Sequence, residues 1–164
     1  MDREKDAIHL HRKSRKLADR IGLKAGPILG RLLFNEVELH GKKLSLHDRE
    51  FLLAAAVEGF QTDPSGNPAG AAAPPLALAD VQIRGARFSS ARDTLERLFA
   101  LHDGLLQHDS RFFYHGLLLK ARLVRAEGNR KEGDRVEREA MALHDRSATL
   151  GFADWTVSLK SLRD

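Results

Sequence analysis

Apolar residues recur in steps of three and four along most of this chain, and nowhere do they alternate convincingly with period two. That spacing lays hydrophobic side chains along one stripe of a helix and cannot fill one face of a strand. The fold class it predicts is all-α. Composition points the same way: Leu, Ala, Arg and Glu abound, while strand-favouring β-branched residues are sparse. Hydrophobic residues make up 42% of the 164 and charged residues 30%, a balance that supports a buried core rather than a disordered chain.

The stripes fall between turn signals. Ala7, Leu10, Leu17, Ala18 and Ile21 predict a first helix over about Glu4–Ile21, stopped by Gly22. Ile28, Leu29, Leu32, Leu33 and Val37 predict a second, with Pro27 in its first turn and Gly41 after its end. Ser45 with Asp48 resembles an N-cap box, opening a third helix through Phe51, Leu52, Ala55 and Ala56 to Gly59. Thr62 to Pro75 is rich in Pro, Gly and Ala and reads as a linker or long loop. Beyond it, shorter stripes predict helices over Leu76–Ile83, from Ser89 or Ser90 to Gly104, and from Asp109 or Ser110 to Val124. After the Gly128-Asn129 turn signal another runs to before Gly151, and a last one carries Phe152, Trp155, Leu159 and Leu162. The domain reading is a basic helical region over 1–60, a linker over 61–75 and helical hairpins over 76–164 with a C-terminal capping helix.

Two segments are alike. Ile83-Arg84-Gly85-Ala86-Arg87 leads to Ala91 and then Leu95 to Leu101. Val124-Arg125-Ala126-Glu127-Gly128-Asn129 leads to Gly133 and then Glu137 to Leu143. Each joins a helix, a glycine-containing turn and a second helix with a small residue near its start. A small residue there lets the two helices approach closely. Leu117, Ala121, Val124, Gly128-Asn129, Gly133 and Ala140 resemble the tetratricopeptide pattern, and the likeness covers roughly Leu76 to Ser147. The copies stand 42 residues apart, about eight more than that family's period, with the extra length in Gly104–Ser110. Gly133 replaces the usual Ala, and Asp145 the usual Pro. Within the family, Asp109-Ser110-Arg111-Phe112-Phe113 running into Gly116 and Leu119 resembles a helix start in chaperones for type III secretion translocators. The basic N-terminus and the long linker depart from that subclass.

The resemblance implies antiparallel hairpins stacked into a right-handed α-solenoid of about seven helices, with a concave groove for a peptide or helix. Its lining would be Leu76, Asp80, Ile83 and Arg84 from one repeat and His115, Leu118, Arg122 and Arg125 from the next. Arg84, Arg122 and Arg125 would meet carboxylates. The implied function is an interaction module or chaperone acting without turnover or cofactor, on a protein or peptide partner. Phe112 and Phe113 read as core, and Trp155 as the cover of its end.

Two other readings stay open. The first 31 residues carry a net charge of +5 and the remainder about −1, so Arg12, Lys13, Arg15 and Lys16 form a candidate nucleic-acid contact. No aromatic neighbours them for base stacking, and no nucleic-acid-binding signature accompanies them. The other reading is a metal-dependent phosphohydrolase of the HD type. Leu98-Phe99-Ala100-Leu101-His102-Asp103-Gly104 resembles the central motif of that family, with His47 as the upstream histidine. His47-Asp48, His108-Asp109 and His144-Asp145 repeat the dipeptide, and His9 and His11 do not share a helix face. The chain has no cysteine, which excludes disulfides, thiolate nucleophiles and cysteine-held zinc. No apolar run approaches the roughly 20 residues that span a bilayer. The expected compartment is the cytoplasm, and self-association through the first helix is allowed.

Overall fold

The computed structural model describes residues 3–61, 68–105 and 110–149. Among the described residues there are seven α-helices and no strand. They are α1 (Arg3–Arg20), α2 (Pro27–His40), α3 (Leu46–Gln61), α4 (Pro68–Arg84), α5 (Phe88–Leu105), α6 (Ser110–Ala126) and α7 (Arg130–Thr149). The final helix expected around Phe152–Leu162, with Trp155, lies outside the described residues, as do residues 106–109.

The chain divides into two compact units, residues 1–74 and 75–164. The division falls between Pro74 and Pro75, inside α4. Composition suggests a linker through Pro75, yet the helix begins at Pro68. Proline costs nothing in a first turn, and the alanines that follow are strong helix formers. Pro74 and Pro75 cannot donate to the turn before them, which weakens the helix where the two units meet in sequence.

In the first unit α2 packs on α3 and on α1. Glycine lets α2 and α3 nearly touch: a Cβ on Gly59 would stand 2.8 Å from the Gly26 carbonyl oxygen and 2.9 Å from the Gly30 Cα. Leu33, Val37, Leu53 and Ala56 are buried in this unit. A short 3-10 turn, Gly41–Lys43, precedes α3. The cap box opens α3 as the sequence predicts. The Asp48 N–H donates to Ser45 Oγ at 3.1 Å, and the Ser45 hydroxyl donates to Asp48 Oδ2 at 2.6 Å.

The first helix forms as the spacing predicts but buries little of its apolar stripe. Ala18 and His11 are its buried residues, whereas Leu10, Leu17 and Ile21, which share its apolar spacing, are exposed. His11 reaches Glu36 on α2 at 2.7 Å through Nε2, so a polar contact helps to fix the helix. Phe51 on α3 is exposed as well.

In the second unit α4–α5 and α6–α7 are helical hairpins. Both first helices end in the same turn. The Arg87 N–H donates to the Gln82 carbonyl and Ala86 to Ile83; Asn129 donates to Val124 and Gly128 to Arg125. Each is a pair of bonds in which the chain turns back through one residue with positive φ. That residue is Ala86 (φ 56°) in the first hairpin and Gly128 (φ 95°) in the second, 42 residues later. Ala91 and Gly133, the small residues of the two copies, keep the same offset. The Leu117–Ala121–Val136–Ala140 cluster joins α6 to α7, with Phe99, Phe113, Tyr114, Leu118 and Leu143 against it. Phe112 is buried, so it and Phe113 belong to the core as expected. A Cβ on Gly116 would meet the Phe99 ring at 2.9 Å, so glycine is what lets that ring lie on α6.

Candidate functional site

The eight residues expected to line a groove all lie in the second unit, and the structure separates them into three kinds. Leu76 and Ile83 on α4 are buried, so they support the surface rather than form it. His115 and Leu118 on α6 are half-buried; the His115 ring lies tilted against Tyr114 with ring centres 5.0 Å apart. The charged residues form two separate assemblies.

In one, Arg122 of α6 donates to Asp80 Oδ1 of α4 at 2.5 Å. The Asp80 side chain is only 8% exposed, and that of Arg122 is 53% exposed. Arg84, one helical turn after Asp80, holds its guanidinium 3.9 Å from Oδ2. That buried oxygen accepts no hydrogen bond among the described residues. Two guanidinium groups therefore stand beside one carboxylate. Asp80 and Arg122 are themselves 42 residues apart, and each stands six residues before its hairpin's left-handed turn residue. Equivalent positions of successive first helices thus face one another. The sequence held that signal: aligning the two turns pairs these positions, one acidic and one basic.

In the other, Arg125 turns toward its own hairpin partner α7. Its guanidinium donates to Asp134 at 2.7 Å and to Glu137. The bond to Glu137, and after it the bond to Asp134, raises the guanidinium pKa further. Arg122 and Arg125 leave α6 toward different neighbours, so the structure does not bring all three arginines together. Asp134 and Glu137 escaped the sequence reading because their role depends on Gly133. That glycine sits where a Cβ would stand 3.0 Å from the Ala121 carbonyl oxygen, and the close crossing puts Arg125 within their reach. Nearby, Glu132 chelates Arg135, and this hydrogen bonding lowers the Glu132 pKa. Arg92 of α5 bonds Glu127 in the second turn at 2.5 Å, tying consecutive hairpins.

The candidate nucleic-acid residues lie on α1. Arg12, Lys13 and Lys16 are exposed and Arg15 is half-buried. Of the candidate metal ligands, Asp48 is held by Ser45 as a helix cap. His144 Nδ1 stands 3.6 Å from Asp145 on α7, and the His102 and Asp103 side chains lie outside the described residues. Among the described residues no group of three or more His, Asp or Glu could hold a metal ion. Among them, too, no helix is long and apolar enough to cross a membrane. Comparison with protein-family models, with curated proteins and with solved structures finds no match.

Proposed function

We propose that the second unit is a tetratricopeptide-like interaction module, of adaptor or chaperone type, that binds a peptide carrying a carboxylate along the α4–α6 face. The observation behind this is the Asp80–Arg122–Arg84 arrangement. A buried carboxylate anchors Arg122 by one N–H, and a half-exposed guanidinium has further donors to turn outward. Arg84 flanks it. A second carboxylate, from an acidic side chain or a chain terminus, accepts charge-assisted hydrogen bonds from the outward donors of Arg122. His115 and Leu118, half-buried on the same row of α6, offer apolar and aromatic contact beside it. The repeated turn at a constant offset supports a stacked-hairpin scaffold. Such scaffolds present first helices on one concave side.

The test is fluorescence anisotropy with a labelled acidic peptide and its Glu→Gln, C-terminally amidated counterpart. Removing Arg122 alone would strand the buried Asp80 charge. The variant is therefore Asp80→Asn with Arg84→Gln and Arg122→Gln, checked by circular dichroism. Losing two charge-assisted bonds, each about 1.5–3 kcal/mol, weakens the acidic peptide by at least about tenfold. The neutral peptide does not change. Equal affinity of the folded variant and the wild type for the acidic peptide refutes the assignment.

A further inference from the structure

The exposed side of α1 carries three large apolar side chains. Leu10, Leu17 and Ile21 are 62%, 54% and 66% exposed. Their spacing is seven and then four residues, the interval at which side chains return to one line of a helix. At about 100° per residue they occupy an arc of only about 40°. Ala7 and Ser14, both small, share this line, and Arg3 begins it. One edge of the seam abuts the face that α1 buries, marked by His11 and Ala18. Along the other edge run Lys13 and Arg20, with Lys16 and Arg12 behind them; Asp6 opens the same edge. Lys13, Lys16, Arg20 and Arg12 are exposed, and none of them pairs with a carboxylate among the described residues.

We infer that this seam docks an amphipathic helix of a partner protein whose flanking residues are acidic. Width and charge select that occupant. A helix lying in a bilayer surface needs a broad apolar face, of the order of 100° or more, usually with aromatic residues. This arc is less than half as wide and has no aromatic. It has the dimensions of the seam that pairs two helices, where leucines seven apart fill one line and charges beside them choose the partner. Nucleic acid would use the cations and leave three large apolar side chains in water. A second copy would bring the same cationic edge to the seam, and like charges beside a helix pair repel. An acidic helix satisfies both the apolar line and the cations.

The probe is a synthetic helical peptide of about four heptads with Leu at the seam positions and Glu at both flanking positions. Its own flanking charges keep it from self-pairing. Binding of the full chain is read by fluorescence anisotropy, beside a matched Lys-flanked peptide. Duplex DNA and vesicles of phosphatidylserine with phosphatidylcholine serve as rival ligands. The wild type binds the Glu peptide at least about tenfold tighter than the Lys peptide. Leu10→Asp with Leu17→Asp loses that binding without changing the helical circular dichroism, because both positions are exposed. Lys13→Glu with Arg20→Glu inverts the preference, so that the Lys peptide becomes the tighter ligand. The Asp80, Arg84 and Arg122 variant binds like the wild type, which separates this seam from the α4–α6 face. No saturable binding below about 100 µM overturns the inference. So does a preference that survives the α1 substitutions, binding lost in the α4–α6 variant instead, or vesicles or DNA as the tighter ligand. Concentration-dependent dimerisation that the leucine substitutions abolish assigns the seam to a second copy and overturns it as well.

Discussion

One chemical change, glycine to alanine, has opposite signs at two positions of the first unit. Alanine is favoured over glycine in a helix by about 1 kcal/mol. At Gly41 nothing opposes that gain. Its backbone is right-handed helical (φ −52°, ψ −36°), and an added Cβ would meet its nearest neighbours, Val37 and Arg49, at 3.9 and 4.0 Å. Gly41→Ala stabilises the protein by about 0.5–1 kcal/mol. At Gly59 the added Cβ would stand 2.8 Å from the Gly26 carbonyl oxygen, 2.9 Å from the Gly30 Cα and 3.0 Å from the Gly30 nitrogen. All three are backbone atoms, so no side chain can swing away. To restore ordinary contact α2 and α3 must separate by roughly 0.5–1 Å, a gap that forfeits a quarter to a half of the dispersion energy across it. The contacts at risk are those of Leu33, Val37, Leu53 and Ala56, all buried. Overpacking of this kind costs about 1–3 kcal/mol, and rigid neighbours put Gly59 at the upper end. Subtracting the propensity gain leaves Gly59→Ala destabilised by about 2 kcal/mol. Urea unfolding of the full-length variants, followed by far-ultraviolet circular dichroism, measures both. A Gly59→Ala protein as stable as the wild type would refute the close crossing of α2 and α3, and with it the packing of this unit.

Three further outcomes test other parts. Ala86 holds a left-handed backbone where the second hairpin uses Gly128, so Ala86→Gly raises stability and Gly128→Ala lowers it, each by about 1 kcal/mol in urea titrations. Ser45→Ala removes the oxygen that accepts the Asp48 N–H and costs about 1 kcal/mol, also read by urea unfolding. Glu132 has its pKa lowered by the Arg135 hydrogen bond. Its contribution to stability is present above the ordinary glutamate pKa and fades as pH falls through the lower folded value. A carboxyl-carbon NMR titration should therefore place its midpoint below the ordinary glutamate range in the wild type and return it there in Arg135→Gln.

The parts of the fold that the sequence announces are those set by local chemistry. Gly128-Asn129 ends one helix and begins the next, with Asn129 Oδ1 accepting the Glu132 N–H at 3.2 Å. Ser45 and Asp48 cap α3, Pro27 opens α2, and each follows from what one residue does to the backbone around it. The features that escaped depend on neighbours distant in sequence. Ala86 gives no turn signal, because alanine takes positive φ only where the hairpin around it compels the strain. Pro74 and Pro75 read as a break, yet α4 runs through them. Asp80 and Arg122, both expected on the groove lining, reveal their bond to each other only where α4 and α6 lie side by side.

The apolar line of α1 shows most clearly why periodicity alone cannot separate core from interface. A helix that buries one stripe inside its own chain and offers another to a partner writes both in the same three-and-four rhythm. Here Ala18 and His11 take the inner line, and Leu10, Leu17 and Ile21 the outer. The inner line is the less hydrophobic of the two, with a small residue and a histidine bonded to Glu36. Burying the outer line would release more apolar surface than burying the inner one does, at about 25 cal/mol per Å2. The residues with most to gain from leaving water are thus the ones this chain leaves exposed, beside exposed lysines and arginines. Large exposed apolar groups rimmed by mostly basic charge mark a contact surface rather than a poorly chosen core. The basic charge and the leucine spacing of α1, which sequence reasoning assigns to separate roles, belong to one surface.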